Sequence, residues 1–217
     1  FFSISILYTQ NTNLDSLYYS YSEIKEQLYI WEEEFGSTIH PSSYYQNSIV
    51  YHLDSIGVSS NENLPIYAVK LSINADQDSD KAKVLMLGQC HAEEVYGVEM
   101  SMNFIDWLLH PEEHLDWIFT DLLRFMYNLE IWVVPTHNPE GLNVVHGYED
   151  EHGHWQQDVS FRKNKTDVNG NGIFDYNSFY PDQIAANDSD GVDLNRNYGL
   201  NWFLGADMYE LSLQSCP

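Results

Sequence analysis

Two short apolar runs limit what this chain can fold into. They are "KVLMLG" (residues 83–88) and "LEIWVVP" (residues 129–135). Each is too short for a buried helix, and each is apolar enough for a strand covered on both faces. Between them lie two stretches of helical periodicity. Val95, Val98, Met102, Ile105 and Leu109 recur at spacings of three and four, and Pro111 ends the run. Leu115, Ile118, Leu122 and Met126 make a second stripe. Strand, helices, strand predicts an α/β domain with a mixed, largely parallel sheet and helices on both faces.

The upstream half adds a helix and a hairpin. Ile24, Leu28, Trp31 and Phe35 share one helical face over residues 20–35. Ser20 and Glu23 form a capping-box pair, and Gly36 is a stop. "SIVYHLDSIG" (48–57) and "LPIYAVKLS" (64–72) flank the polar "SSNEN" (59–63), which predicts two antiparallel strands. Beyond Pro135 the periodicity fades. Residues 136–200 are rich in Asn, Asp and Gly, and so long a loop-rich stretch in a compact domain is usually a functional surface.

A length of 217 residues fits one domain or part of a larger one. The 33 Asp and Glu against 9 Lys and Arg give a net charge of −24, which repels nucleic acid and anionic membranes. No apolar run reaches the roughly 18–20 residues of a membrane span. Cys90 and Cys216 are too few for a disulfide framework. The apolar "FFSISILYTQ" (1–10) reads either as an N-terminal strand or as the tail of a signal peptide. Residues 1–13 are therefore set apart as a leader remnant or extension, and 14–217 as the domain. A secreted, extracellular or periplasmic location is expected.

A His and a Glu three residues apart suit two ligands of one metal ion. The spacing occurs four times: His91–Glu94, His110–Glu113, His137–Glu140 and His146–Glu149. Chance alone gives roughly 0.7 such pairs, so position must decide. His91 stands just past the first apolar run, where a helix begins, and α/β sites lie at the carboxyl ends of strands. His110–Glu113 straddles Pro111 and reads as a solvated corner. His146–Glu149 lies in a polar loop. In His137–Glu140, Pro139 and Gly141 predict a turn held by its own polar groups. His91 and Glu94 are the candidate metal pair; the alternative for His91 is a hydrogen-bonded residue at a strand end.

"CHAEE" (90–94), "THNPEGL" (136–142), "SFRKNKT" (160–166) and "GVDLNRNYG" (191–199) follow in this order. The ordered set resembles the zinc carboxypeptidases, from about residue 18 to the end of the chain. The resemblance implies a zinc carboxypeptidase-like fold and the release of C-terminal amino acids from peptides or proteins. It implies Zn²⁺ held by His91, Glu94 and one later His, with one position left to water. It gives Arg162 the task of stabilising the oxyanion. Asn195 and Arg196 would grip the substrate's free C-terminal carboxylate, Arg196 from a buried position. Asp193 and Asn197 are expected to support the site rather than react.

Three departures accompany the resemblance. Glu93 stands where many relatives carry Arg, and is expected to change substrate preference. Cys90 is expected to be a buried, inert thiol. The last His of the sequence is His154, so the family's third ligand and general-base Glu are missing after Arg196. The chain is expected to be the N-terminal portion of the domain, truncated at its C-terminus. In addition, Asp167, Asn169, Asn171 and Asp175 alternate around Gly172, like the first nine positions of an EF-hand-type Ca²⁺ loop, with Asp188 or Asp190 as further donors. Position twelve is Ser178 rather than Glu, and a loop of Asx turns is the alternative. Two rivals to the peptidase remain: an aspartoacylase-like or peptidoglycan-directed zinc amidohydrolase, and a non-catalytic, calcium-stabilised extracellular binding module. "NPEG" and "RKN" favour the peptidase.

Overall fold

The fold is that of a computed structural model, which describes residues 14, 16–113, 116–149, 153–168, 170, 172, 174 and 190–198. Helix α1 (Tyr21–Trp31) begins at the capping box read from the sequence. Ser20 Oγ accepts from Glu23 N, and the Glu23 carboxylate accepts from Ser20 N at 2.8 Å. Its face of Ile24, Leu28 and Trp31 is buried. The last turn widens into a π-helical segment, Glu32–Gly36, which buries Phe35 and brings Glu32 Oε2 to Leu53 N at 3.0 Å.

Four strands make the main sheet: β1 (Tyr51–Val58), β2 (Pro65–Leu71), β3 (Ala82–Gln89) and β4 (Leu129–Thr136), in the order β1-β2-β4-β3. The hairpin β1–β2 is antiparallel from Tyr51↔Leu71 to Val58↔Pro65, with an irregularity between Ser55 and Gly57. β2 pairs antiparallel with β4, and β3 pairs parallel with β4 from Ala82↔Leu129 to Gln89↔Thr136. Among the described strands the antiparallel pairings outnumber the parallel one, and the class is mixed α/β. Helices α2 (Tyr96–Leu109) and α3 (Asp116–Asn128) form the crossover between the parallel strands, and α2 packs on both. Helix α4 (Pro139–His146) follows β4, and a small ribbon, β5 (Tyr148–Glu149) with β6 (Trp155–Gln156), closes the described core.

Two expectations need correction. The "KVLMLG" strand is not covered on both faces: Val84, Leu85 and Leu87 are 43%, 62% and 46% exposed. The reason is position. β3 is an edge of the described sheet, whereas Ile131, Val133 and Val134 of β4 lie inside it and are buried. "NPEG" is not a turn but the start of α4. Asn138 caps it through Gly141 N at 3.1 Å, and Pro139 takes the first helical position, where its missing N–H costs nothing.

Two glycines set how closely the elements near the site approach. A Cβ at Gly88 would lie 2.2 Å from Pro135 O and 2.5 Å from Ser101 Oγ; one at Gly97 would lie 2.9 Å from Gln89 N. Their absence lets the first turn of α2 sit against the end of β3. Farther off, buried His40 donates from Nε2 to Leu109 O at 2.7 Å and accepts at Nδ1 from Ser42 N at 3.0 Å. It stacks on Phe35 with ring centroids 4.9 Å apart, and burial lowers its pKa.

Candidate metal and substrate site

The parallel register brings the ends of β3 and β4 side by side, with Gln89 opposite Thr136. Buried Gln89 donates to Ala92 O at 2.9 Å and accepts from Thr136 Oγ1. One amide then joins three segments. Asn138 Nδ2 donates to Cys90 O and to Lys163 O, each at 3.0 Å, while Asn138 Oδ1 caps α4. Ala92 N donates to Arg162 O at 3.1 Å, and Asn164 exchanges bonds with the backbone of Val192. The "CHAEE", "RKN" and "VDLNR" segments are laced together in this way. Gly191 (φ +89°) is required at the seam, because a Cβ there would lie 2.4 Å from Asn164 O.

On this frame His91 is buried. Its Nδ1 lies 3.1 Å from Glu94 Oε1 but forms no hydrogen bond. Its Nε2 lies 3.3 Å from Asp193 Oδ1 and 2.7 Å from Arg162 Nη2. When Nε2–H donates to Asp193, the Nδ1 lone pair faces the side on which Glu94 stands. Two donors about 2.1 Å from a tetrahedral zinc are roughly 3.4 Å apart, so this pair fits one ion. Among the described residues no group of three or more His, Cys, Asp or Glu gathers in a metal-binding arrangement.

Arg162 donates from Nε to Asp193 Oδ2 at 2.9 Å and from Nη1 to Glu93 Oε1 at 3.3 Å. Burial pulls its pKa down, but Asp193 and Glu93 outweigh burial and leave it raised. Burial pushes the Asp193 pKa up, and the hydrogen bond and charge of Arg162, helped by His91 and Asn195 N, bring it below the ordinary value. Asn195 and Arg196 lie in a short 3₁₀ turn, Leu194–Arg196, one step past Asp193. Both are exposed, and Arg196 Nη1 donates to Asn195 O at 3.1 Å. Arg196 is therefore not buried as expected; the turn that Asp193 caps carries it on the outside.

The other His–Glu pairs do not converge in this way. Half-buried His110 pairs with Asp106 at 3.0 Å and meets Phe35 edge-on, while Glu113 is exposed. His146 is buried in α4, and Glu149 is exposed on β5. Glu140 Oε1 accepts from Ser59 Oγ and from the backbone N–H groups of Asn61 and Glu62, and so fastens the β1–β2 loop. His137 has both ring nitrogens buried without a hydrogen-bond partner among the described residues, and burial, then the nearby His91, lowers its pKa. Burial raises the pKa of the half-buried Cys90 thiol, with Asp193 next, which keeps it protonated and unreactive.

Lys165 carries a charge that lysines ordinarily keep in solvent. It is buried, paired with Glu62, and lies 4.2 Å above the Tyr148 ring. The one signal was density: three of the nine basic residues fall within 162–165. At the expected calcium loop, Asp167 Oδ1 and Oδ2 accept from Gly170 N and Gly172 N, each at 2.7 Å, as in the Asx-turn alternative. Asn169, Asn171 and Asp175 lie outside the described residues, as does Asp188. Asp190 is buried and accepts from Val168 N at 2.9 Å.

The mixed α/β sheet gathers a buried His and a carboxylate at its strand ends, where open α/β sheets carry their sites. The chain belongs to the zinc carboxypeptidase family, which it matches over residues 44–214. Among solved structures, thrombin-activatable fibrinolysis inhibitor shares the fold with a TM-score of 0.56 at 18% identity, over 84% of this chain and 34% of that one. Carboxypeptidase A from Helicoverpa armigera has a TM-score of 0.56 at 22% identity, over 85% of this chain and 34% of that one. The chain thus spans about a third of the length of each. No curated protein matches it.

Proposed function

We propose that the chain is part of a zinc-dependent carboxypeptidase that hydrolyses the last peptide bond of peptides or proteins. The observation that carries this reading is His91 Nδ1, buried, free of hydrogen bonds and 3.1 Å from Glu94 Oε1, with Asp193 behind the opposite nitrogen. His91 and Glu94 would be metal ligands. Bound Zn²⁺ supplies a Lewis acid and lowers the pKa of water to about 7. Asp193 holds the Nε2 proton, which fixes the tautomer and ring orientation of His91. Arg162 has five N–H donors, of which Asp193 and Glu93 engage two; the others can meet negative charge on a scissile carbonyl oxygen. Exposed Arg196, with Asn195 beside it, would take the substrate carboxylate in a bidentate fork. A third protein ligand and a general base complete such a site. In this reading both come from outside the described residues.

The test is zinc titration of the protein with and without His91→Ala and Glu94→Gln, beside a C-terminal-residue release assay on the full gene product. Zinc binding unaffected by either substitution would sink the assignment. Calcium binding at 167–175 is a separate proposal, and its support is the spacing of Asp167, Asn169, Asn171 and Asp175 around Gly172. Added Ca²⁺ should raise the melting temperature after EDTA treatment, and Asp167→Ala should remove the effect; no calcium-specific shift would reject it.

A further inference from the structure

We infer that Glu93 is a positioning residue that sets the plane of the Arg162 guanidinium, an inference that rests on the oxyanion role proposed for Arg162. The Arg162 side chain is 38% exposed, so burial does not hold it. Its backbone is fixed, since Ala92 N bonds to Arg162 O, but several rotatable bonds separate that anchor from the charge. The Nε–H bond to Asp193 Oδ2 fixes one point of the guanidinium and leaves it free to pivot. The Nη1 bond to Glu93 Oε1 supplies a second point, and with the covalent attachment at Cδ as a third the plane of the group is set.

The third contact, Nη2 to His91 Nε2 at 2.7 Å, cannot serve when His91 is ready for metal. With its proton on Nε2, His91 sets an N–H donor against the N–H donors of Nη2, and the contact turns repulsive. Asp193 and Glu93 are then the acceptors that keep the guanidinium in place. Glu93 is suited to this. Its side chain is 28% exposed, and its second oxygen, Oε2, is buried with no hydrogen-bond partner among the described residues. The carboxylate therefore has a spare acceptor for Arg162 and no described competitor for it. Its place in the chain, between His91 and Glu94, ties the plane of Arg162 to the candidate metal pair.

The test reads Arg162 directly. The chain contains three arginines, Arg124, Arg162 and Arg196, so phenylglyoxal labelling followed by peptide mass spectrometry resolves each. Glu93→Ala should speed labelling of Arg162 by about threefold or more, with Arg124 unchanged as the folding control. Glu93→Gln keeps an acceptor oxygen at the same reach and should stay close to wild type. Glu93→Asp keeps the charge but not the reach, should free Arg162, and serves if the Ala variant does not fold. In the full, zinc-loaded gene product, Glu93→Ala should lower kcat about tenfold with KM within about twofold, and Glu93→Gln should restore most of it. Unchanged Arg162 labelling in Glu93→Ala and Glu93→Asp overturns the inference, as does a Gln variant no better than Ala. A wild type that labels as expected but releases no C-terminal residues would leave the positioning role standing and remove the peptidase reading.

Discussion

At the scale of single residues, the site depends on which ring nitrogen of His91 carries the proton. Asp193, a buried carboxylate 3.3 Å from Nε2, favours the tautomer whose Nδ1 is free, and the Arg162 Nη2 donor 2.7 Å from the same nitrogen favours the other. Asp193→Asn should therefore weaken zinc binding by roughly 10–100-fold while leaving the fold in place, measured by competition with a chromophoric chelator. Undiminished affinity would show that Asp193 does not orient the ligand. A second residue reports on pH. His40 satisfies both nitrogens in its neutral form, and burial lowers its folded pKa below the unfolded value. The unfolded state then binds the proton more readily, so the stabilisation is fully present above about pH 6.5 and declines as pH falls below it. Urea unfolding at pH 8 and pH 5.5 should show a larger loss for wild type than for His40→Gln; equal losses would exclude His40 as a source. The approach of His91 to Glu94 was legible because spacing and strand-end position are local properties. The partners of Glu93 and Lys165 were not, since Arg162 lies 69 and Glu62 103 residues away in sequence from them.

At the scale of elements, local signals were read well and context-dependent ones were not. The capping box at Ser20, the stripe of α2 and the β1–β2 hairpin all rest on neighbours within a few residues; of the α3 stripe, Leu122 and Met126 are buried, while Leu115 and the side chain of Ile118 lie outside the described residues. "NPEG" misled because Asn, Pro and Gly open both turns and helices; the buried Leu142, Val144 and Val145 that follow continue the chain as α4. The seam between "RKN" and "VDLNR" shows how an element's geometry can rest on one residue. Gly191→Ala combines a positive φ with a Cβ placed 2.4 Å from a backbone oxygen. It should cost about 1–3 kcal/mol of stability and disturb the placement of Asp193. Chemical denaturation measures the first effect and zinc affinity the second. A stable variant with unaltered zinc binding would mean that the seam adjusts without moving the site.

At the scale of the whole molecule, the feature that most needs explanation is β3. A strand of Val, Leu, Met and Leu at a sheet edge exposes apolar surface on both faces, next to a two-donor site. The same run would read identically in the middle of a sheet, which is why the sequence could not reveal the exposure. An apolar edge with no partner strand among the described residues invites pairing with another chain. The 217-residue chain on its own is therefore expected to self-associate, and Leu85→Lys should shift it towards monomer in light scattering while zinc affinity stays unchanged. On the proposed reading the same chain should show little peptidase activity. The described residues bring together two donors, His91 and Glu94, where a catalytic zinc site uses three, and a general base is worth roughly 10²–10⁴ in rate. These expectations separate in one experiment: compare the isolated chain, its Leu85→Lys form and the full gene product for zinc-dependent release of C-terminal residues. Turnover by the monomeric Leu85→Lys chain at the level of the full product would mean that the 217 residues already hold a complete site, and that its third ligand and base have to be sought among those outside the described set.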